Sequence, residues 1–459
     1  MGQGVCEGIF PENNKSVTGQ ESIMSPLSII ISIIGLGLLA AAHEIGHFLV
    51  ARRLGIKVEE LSVFVGPSLI NWKQNGVEYH IRLIPFGAYV RFPGAEEEDG
   101  GAANPDSYLN VPRWKRLIVA LAGPITNVIL GIVIFAVVFA CFGFLSTNLD
   151  TAAAGTQIAA TKAVEGDTIV SLNGKHILTD ADLGYYYSTV PDTDPMILTL
   201  RSQKTGKDYS ITLNPVIKSR YVFGIYIASK SELDKNNGWE IVEVDPTQNG
   251  GSPVLKIGDS LLAVNGIPVT DSSYADIIPG NTDNEITLTI VRDGIKQDVT
   301  MTATVYDSAN PRGIFVKQGS GVGDLLKHSV LYSASVIEVS IDGLKSVAQG
   351  KIKAQDAIAG PVGIATIVSD VVDAPKTDNS VKVEYLGTLA GLISVGFAFS
   401  NLLPLPGLDG NVMVLVVIEM IRGKKISMKT ERVINAMGFV VLISLVIFAL
   451  SSDIMRLVG

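Results

Sequence analysis

The feature that most constrains this chain is an apolar run, residues 26–50, that carries two histidines and a glutamate near its end. A run of about 20 apolar residues is long enough to cross the hydrocarbon core of a membrane as a helix. Ionisable side chains inside such a helix are costly unless they are paired or bound to a metal, so they usually mark a functional site. The run therefore predicts a membrane-spanning helix with a polar centre.

The polar centre has the sequence His43-Glu44-Ile45-Gly46-His47. Residues four apart lie on one face of a helix, so the imidazoles of His43 and His47 can converge on one zinc ion. In this H-E-x-x-H arrangement the glutamate takes a proton from the attacking water and passes it to the leaving amine. The alternative is that two histidines pack in a core by chance. We predict one Zn²⁺ per chain, with Glu44 as the catalytic acid and base.

The composition is that of a membrane protein with sizeable polar parts. Of 459 residues, 47% are hydrophobic and only 18% are charged, and the mean hydropathy is +0.35. A chain of this length is expected to form several domains. The net charge of -9 and the absence of a large basic stripe argue against nucleic-acid binding. Cys6 lies in a polar tail and Cys141 in an apolar run, so a structural disulfide or a thiolate metal site is not expected.

Four apolar runs predict a polytopic α-helical membrane protein with about four transmembrane helices, at residues 26–50, 117–144, 386–403 and 433–450. Basic residues flank two of the connecting loops, which places these loops in the cytoplasm. They are Arg52, Arg53, Lys57, Arg113, Lys115 and Arg116 around the first loop, and Arg422, Lys424, Lys425, Lys429 and Arg432 in the last. The zinc site should then lie within the inner or plasma membrane, near its cytoplasmic face. Residues 1–22 are predicted to be an extracytoplasmic tail without a cleaved signal peptide.

Residues 58–92 predict a membrane-associated β-hairpin that turns at Asn75-Gly76. The run alternates and is rich in β-branched and aromatic residues. A sheet edge beside a protease centre could bind an unwound substrate as an added strand, because a protease needs extended backbone. The alternative is a purely structural hairpin, and the pattern does not decide between them. The acidic run 96–99 is interpreted as a solvated loop.

A motif repeats between the second and third spans, on the extracytoplasmic side by alternation. Residues 166–174 and 258–266 both read G-D-x₅-N-G, and each copy is followed by a predicted hairpin. Two copies with the same downstream pattern indicate duplicated domains. They resemble PDZ domains, in which this segment is a core strand that leads into a turn. The fold class is therefore a helical membrane protein with two inserted, β-rich, PDZ-like domains.

The third span breaks at residues 401–410, which include two prolines and two glycines. Irregular backbone at membrane depth is tolerated only where it is buried in protein or lines a cavity, so the break marks a site. Asp409 lies in this break, at the depth expected for His43 and His47, and is the best candidate for a third zinc ligand. The alternative is that Asp409 caps the helix that follows. Residues 322–348 predict an amphipathic helix at the membrane interface.

The predicted domains follow from these patterns. They are an N-terminal tail (1–22), two spans with the intervening hairpin (23–145), two PDZ-like domains (146–216 and 217–307), a linker with the interfacial helix (308–383) and the last two spans (384–459).

Taken together, the motifs resemble the site-2 protease family of intramembrane zinc metalloproteases, and most closely its RseP-like branch. The resemblance covers nearly the whole chain. It rests on these segments: His43-Glu44-Ile45-Gly46-His47, Pro85-Phe86-Gly87-Ala88-Tyr89-Val90, Ala122-Gly123-Pro124-Ile125-Thr126-Asn127, the two repeats, Gly360-Pro361-Val362-Gly363-Ile364 and residues 401–410. One departure is Asn411, where the family usually has a second glycine.

The resemblance implies roles for individual residues. It implies that His43, His47 and Asp409 bind zinc and that Glu44 is the acid and base. It also implies that the segment that begins at Asn401 holds substrate near the metal. With one residue of the hairpin added, the candidate substrate-binding residues are Asn401, Pro404, Pro406 and Tyr89. The implied activity is regulated intramembrane proteolysis of a single-pass membrane protein, such as an anti-sigma factor or a signal-peptide remnant, after its outer domain has been removed.

A second class of function must be weighed beside this one. The chain could be a membrane-anchored PDZ scaffold with a vestigial metal site. An intact Glu44 argues against this alternative, because a pseudo-enzyme has no need of a carboxylate at membrane depth.

Overall fold

The computed structural model describes residues 25–94, 104–222, 224–229, 239–246, 248–269, 285–302, 304–357, 360–374 and 377–458. The predicted tail (1–22), with Cys6, and the acidic run 96–99 lie outside the described residues. The chain forms two compact units. We call residues 148–175 and 187–315 the sheet unit, and the remaining described residues the helical unit.

Ten α-helices are found in the described part of the chain. In order they are α1 (Pro26–Arg53), α2 (Arg113–Phe142), α3 (Asp180–Ser188), α4 (Gln248–Gly251), α5 (Val322–Ala348), α6 (Ala354–Ala357), α7 (Pro361–Val372), α8 (Asn379–Leu402), α9 (Asp409–Arg422) and α10 (Met428–Val458).

The strands of the described segments fall between α1 and α5. They are β1 (Glu60–Gln74), β2 (Val77–Arg91), β3 (Leu145–Leu149), β4 (Thr168–Leu172), β5 (Lys175–His176), β6 (Met196–Arg201), β7 (Asp208–Leu213), β8 (Ile217–Val222), β9 (Ile225–Ser229), β10 (Trp239–Val244), β11 (Ser260–Val264), β12 (Ile267–Pro268), β13 (Glu285–Arg292), β14 (Ile295–Thr302), β15 (Thr304–Ala309) and β16 (Val316–Gln318).

Among the described residues, four helices are long and apolar enough to cross a membrane: α1, α2, α8 and residues 436–453 of α10. These four helices coincide with the four apolar runs predicted from the sequence, and their crossing of a membrane stays a prediction. Helix α1 begins where Ser25 accepts the N–H of Ser28 with its Oγ at 3.2 Å, and Pro26 has no N–H to satisfy. It ends just before Gly55, whose φ of +72° suits a glycine that stops a helix.

Small residues bring the helices of the helical unit close together. A Cβ added to Gly46 of α1 would lie 2.8 Å from the carbonyl oxygen of Ala122 in α2. A Cβ on Gly391 of α8 would lie 2.5 Å from the Phe135 ring of α2. Close backbone approach at small residues is the usual way in which membrane helices associate. Helix α2 is therefore held between α1 and α8.

The predicted hairpin forms, with its turn at Asn75-Gly76, but it is more elaborate than the sequence indicated. Residues 60–63 of β1 pair both with 78–81 and with 88–91 of β2, while residues 68–74 pair with 77–82. Each long strand therefore bends, and four segments lie in the order 68–74, 77–82, 60–63, 88–91. The bends coincide with left-handed backbone at Phe64 (φ +67°), Gly66 (+88°) and Gly87 (+76°). Segment 88–91 is an edge of this sheet.

The two repeats of the sheet unit share one topology. Strands β4 and β11 each pair with the first strand of a following hairpin, β6–β7 or β13–β14. Each strand ends in an asparagine with left-handed φ, Asn173 (+46°) or Asn265 (+48°). The Oδ1 atoms of these residues accept the N–H of Ile197 and of Thr287, each at 2.8 Å. The repeated sequence motif is thus a repeated structural element.

The second repeat is inserted within the first. Strands β8 and β15 pair in antiparallel fashion and form the neck of the insertion. Residues 311–315, which follow this neck, return to the first repeat: Phe315 C=O accepts the N–H of Asp150 at 2.8 Å, and Arg312 C=O accepts that of Ile158 at 3.0 Å. The first repeat is therefore built from chain on both sides of the second.

The aspartate of each G-D-x₅-N-G motif holds the downstream hairpin. Asp167 accepts the N–H of Gln203 at 2.9 Å and the hydroxyl of Tyr209. Burial, and then this hydrogen bond, raise the pKa of Tyr209 to about 12. Asp259 instead accepts two hydrogen bonds from Arg292, at 2.8 and 2.6 Å. Burial raises the pKa of Asp259, but the Arg292 hydrogen bonds outweigh it, so the net pKa lies below the usual value.

Replacing Asp259 by Asn should open the second repeat. Asp259 is only 2% exposed, and breaking a buried ion pair costs about 3–5 kcal/mol because the remaining charge is unpaired. Hydrogen exchange of residues 260–292 measures the opening free energy. The pKa of Asp259 is lower in the folded than in the unfolded protein. Asp259 therefore contributes to the free energy of unfolding above the unfolded pKa, near 3.8, and this contribution is lost as the pH falls through the folded pKa. Asp298→Asn, at an exposed position of β14, is the matched control, and equal exchange in both variants would contradict the expectation.

Helix α5 coincides with the predicted amphipathic helix, but several of its polar residues are buried in the protein. Its buried side chains are His328, Ser329, Tyr332, Ser333 and Ser335. The Tyr332 ring lies 4.7 Å from Phe135 and 5.2 Å from Phe139 of α2, centroid to centroid. Apolar residues such as Val322, Leu326 and Leu344 are exposed. The helix is confirmed, and its place at a membrane interface stays a prediction.

Candidate metal centre

Helix α1 places both histidines of the H-E-x-x-H motif on one buried face. The Nε2 atoms of His43 and His47 are 3.1 Å apart, and the rings meet edge to face at 4.7 Å. Both side chains are buried. The four-residue spacing in a helix is sufficient to bring the two nitrogens together, as predicted.

Asp409 supplies a third donor atom from the start of α9. Its Oδ2 lies 2.9 Å from His43 Nε2 and 3.2 Å from His47 Nε2. The N-cap position of α9 is occupied by Leu408, so Asp409 contacts the histidines instead of capping the helix. The sequence alone left both interpretations open, and the geometry favours the ligand.

A hydrogen bond fixes the orientation of His47. Its Nδ1 lies 2.7 Å from the carbonyl oxygen of Val119 in α2, so Nδ1 carries the proton and donates it. The Nε2 lone pair is then free to bind a cation. Backbone carbonyls commonly hold metal-binding histidines in this way.

Gly123 provides the space in which the donor atoms meet. A Cβ at this position of α2 would lie 2.6 Å from His43 Nε2 and closer still to His47 Nε2. No larger residue fits there without moving both imidazoles. The sequence alone does not predict this role of Gly123, because a glycine in an apolar helix is most simply read as a helix-packing residue.

The donor set fits zinc. Tetrahedral zinc binds histidine nitrogen and carboxylate oxygen at roughly 2.0–2.2 Å, which places any two ligand atoms about 3.3–3.6 Å apart. The three separations of 2.9, 3.1 and 3.2 Å are shorter by only a few tenths of an ångström. Two imidazoles and a carboxylate are also a ligand type known for catalytic zinc sites that keep a fourth position open.

Glu44 lies beside the donor set and contacts the sheet edge. One carboxylate oxygen of Glu44 and one nitrogen each of His43 and His47 lie within 4.8 Å of one another. Helix α1 packs against β2, and the backbone N–H of Val90 lies near the Glu44 carboxylate. Asp409 makes the closer contacts with both imidazoles, so Glu44 is better placed to act on a bound water than to bind the metal.

A buried ion pair anchors the helix that carries Asp409. Arg116 of α2 donates to Glu419 of α9, and Glu419 also accepts the N–H of Ile426 at 2.9 Å. Both side chains of the pair are buried. The pair lies several turns beyond Asp409 along α9 and fixes this helix against α2.

The other predicted site residues lie in β2, at the end of α8 and in the connection between α8 and α9. Asn401 is buried at the end of α8 and donates to the Phe397 carbonyl at 3.0 Å. The Phe397 ring lies 5.3 Å from that of His43. Pro404 and Pro406 lie in the connection between α8 and α9. Among these residues Tyr89 differs, because its hydroxyl donates to Glu60 within the sheet at 2.7 Å.

The comparisons with known proteins indicate a zinc metalloprotease. A profile described as peptidase family M50 matches residues 31–445. A protein of Clostridium acetobutylicum named a zinc metalloprotease is 26% identical over 434 residues, which cover 94% of this chain and 98% of the relative. Metalloprotease MmpA of Caulobacter vibrioides is 24% identical over 468 residues, or 95% of each chain.

The match to solved structures is partial. The PDZ domain of HtrA3, bound to a phage-derived ligand, is 19% identical with a TM-score of 0.18, and it covers 20% of this chain and 93% of that domain.

The H-E-x-x-H helix and the convergent donors define a zinc metalloprotease. The chain belongs to peptidase family M50, the site-2 protease family.

Proposed function

We propose that this protein hydrolyses a peptide bond within or near the transmembrane segment of another membrane protein. The observation that carries the proposal is the convergence of Asp409, from the start of α9, on His43 and His47 of α1, a helix that is long and apolar enough to span a membrane. A catalytic centre at that depth is accessible to a substrate segment that is itself in the membrane.

His43, His47 and Asp409 are the metal ligands in this proposal, and Glu44 is the acid and base. When bound, zinc supplies a Lewis acid that activates water and polarises the scissile carbonyl. The Glu44 carboxylate accepts the proton of the attacking water and delivers it to the leaving nitrogen. The Val119 carbonyl keeps His47 in the tautomer that directs Nε2 toward the centre.

The sheet edge at residues 88–91 binds the substrate as an added strand. This segment pairs on one side with residues 60–63, and the Val90 N–H on its other side contacts Glu44. A substrate helix must unwind before it is cut, and an edge strand beside the acid and base holds the unwound backbone in register. Of the two interpretations of the hairpin, the contact between Val90 and Glu44 favours the one in which its edge binds substrate.

The substrate is a single-pass membrane protein whose outer domain has already been removed, as in regulated intramembrane proteolysis of anti-sigma-factor-like proteins or signal-peptide remnants. The protein lies in the inner or plasma membrane, with the centre near the cytoplasmic face and the two nested repeats outside as PDZ-like domains. Basic residues at the ends of α1, α2 and α9 support this orientation. Asn401, Pro404 and Pro406 line the approach to the metal.

The alternative function is a membrane-anchored PDZ scaffold with a vestigial metal site. It predicts that the donor side chains need not converge. The structure has instead three converging donors, an oriented His47 and a Glu44 carboxylate beside them. Catalysis accounts for each of these features, and a scaffold accounts for none of them.

Replacing Asp409 by Ala should reduce zinc content and proteolysis together. The change removes one of three ligands and leaves two imidazoles, which hold zinc more weakly. Metal analysis of the purified full-length protein, after dialysis against a weak chelator, measures the loss. Asp378→Ala is the matched control. Asp378 is the N-cap residue of α8, but its side chain is exposed and makes no capping hydrogen bond. Full zinc occupancy in the Asp409 variant would remove this residue from the ligand set.

A further inference from the structure

Glu60 is a buried carboxylate at the centre of the four-segment sheet. It is only 3% exposed. Its Oε1 accepts from Arg82 Nη2 and from the Tyr89 hydroxyl, each at 2.7 Å, and its Oε2 accepts from Arg91 Nη2 at 2.8 Å. Burial raises the pKa of Glu60, but hydrogen bonds from Arg82 and Tyr89 and the charge of Arg91 bring it below the usual value. The group is therefore an ion with donors from the segments on both sides.

Two of these donors flank one residue of the sheet edge. Tyr89 and Arg91 lie on either side of Val90, and successive side chains of a strand point to opposite faces. Their side chains therefore share a face, and both reach Glu60. One carboxylate thus clamps the edge segment immediately before and immediately after Val90.

The backbone of Val90 is directed away from the clamp. The Glu59 N–H donates to the Arg91 carbonyl at 2.9 Å, so the backbone groups of Arg91 and Tyr89 face the neighbouring segment. In an antiparallel pair the intervening residues present their N–H and C=O groups to the other side. Ala88 and Val90 accordingly line the free edge, where the Val90 N–H contacts the Glu44 carboxylate.

We propose that Glu60 is a positioning residue for proteolysis: by clamping Tyr89 and Arg91 it holds the backbone edge at Ala88 and Val90 against Glu44, and so aligns a substrate strand with the metal centre. The inference rests on the proposed strand addition at this edge. A buried charge inside a sheet is an expensive way to gain stability, since an apolar residue of similar volume often serves as well or better. The need for a rigid sheet edge at the active centre explains why a buried charge is kept here.

The test measures how well the edge pairs with an extended backbone. The full-length zinc-loaded protein in detergent is titrated with three probes: a peptidyl hydroxamate, the same compound with one backbone amide methylated, and acetohydroxamic acid. The hydroxamate group binds zinc in all three, and methylation removes one N–H donor to an edge carbonyl. Without the clamp, the edge is no longer aligned with the bound peptide, and methylation of the peptide should not change its affinity. A purely structural role for Glu60 would weaken all three probes or none.

In the parent protein, methylation should weaken binding about tenfold, because an edge carbonyl loses its partner. In Glu60→Gln the ratio of the two dissociation constants, methylated over unmethylated, should fall to near one. Acetohydroxamic acid should bind as it does to the parent. Glu78→Gln is the matched control: Glu78 lies on the same sheet, its partner is the exposed Lys73 at 3.0 Å, and the ratio should stay near ten. Tyr89→Phe, which removes one donor to Glu60, should give an intermediate ratio.

Two outcomes would overturn the inference, and they differ. If Glu60→Gln keeps the tenfold ratio, Glu60 does not position the edge, although strand addition stands. If the parent itself shows no penalty for methylation, the edge does not bind the backbone, and strand addition fails together with the inference. In either case the affinity for acetohydroxamic acid reports separately whether the metal centre is intact.

Discussion

A Glu44→Gln protein is expected to keep its zinc and to cleave its substrate about 10²–10⁴-fold more slowly than the parent. The amide has the shape of the carboxylate, but it cannot take a proton from water. The histidines and Asp409 are untouched, so the metal should remain. Zinc analysis and a cleavage assay in proteoliposomes measure the two effects on the same sample.

The same variant provides a route to the substrate. An enzyme that binds but does not cleave should retain membrane proteins, which can be identified by mass spectrometry after mild solubilisation. Glu243→Gln, at an exposed position of β10, is the control for loss of a carboxylate and should behave as the parent does. Loss of zinc from the Glu44 variant would show that Glu44 is a ligand, and the division of roles between Glu44 and Asp409 would be reversed.

A Gly123→Ala protein is expected to lose both zinc and activity while remaining folded. The added Cβ would lie 2.6 Å from His43 Nε2, nearer than such atoms approach, and nearer still to His47 Nε2. The imidazoles must move, and the donor atoms then no longer converge. Gly→Ala within a helix otherwise stabilises by roughly 0.5–1 kcal/mol, so circular dichroism should show the helical content of the parent, compared with the parent stripped of zinc.

Gly35→Ala is the control for this effect. Gly35 lies in α1, the helix of the two histidines, and a Cβ there would meet no atom within 4 Å. This variant should bind zinc and cleave as the parent does. Normal zinc content in Gly123→Ala would mean that α2 can shift away from α1 without disturbing the centre.

The part of the site that the sequence predicted is the part with local geometry. The spacing of His43 and His47 fixes their separation once a helix forms, and Glu44 follows from the same motif. Asp409 is 366 residues from His43, yet it could be proposed because a carboxylate in broken backbone at membrane depth needs a partner. In each case one strong physical constraint was visible without the fold.

What the sequence did not predict depends on contacts without such a constraint. Glu60 begins an alternating strand and reads as an ordinary surface charge, and its partners become apparent only when the strands bend. One bend requires left-handed backbone at Phe64, an aromatic residue with no propensity for it. Gly123 reads as a packing glycine, because nothing local distinguishes contact with a helix from contact with an imidazole.

The nesting of the two repeats has a consequence for how the protein is made. Asp150 emerges from the ribosome long before Phe315, and the hydrogen bond between them cannot form until the whole second repeat has been synthesised. Closing so long a loop is entropically costly, and contacts of large sequence separation slow folding. The first repeat therefore stays incomplete until residues 311–315 have been synthesised, after the second repeat. A fragment that ends at residue 216 contains the entire first sequence motif and still lacks the chain that finishes its fold.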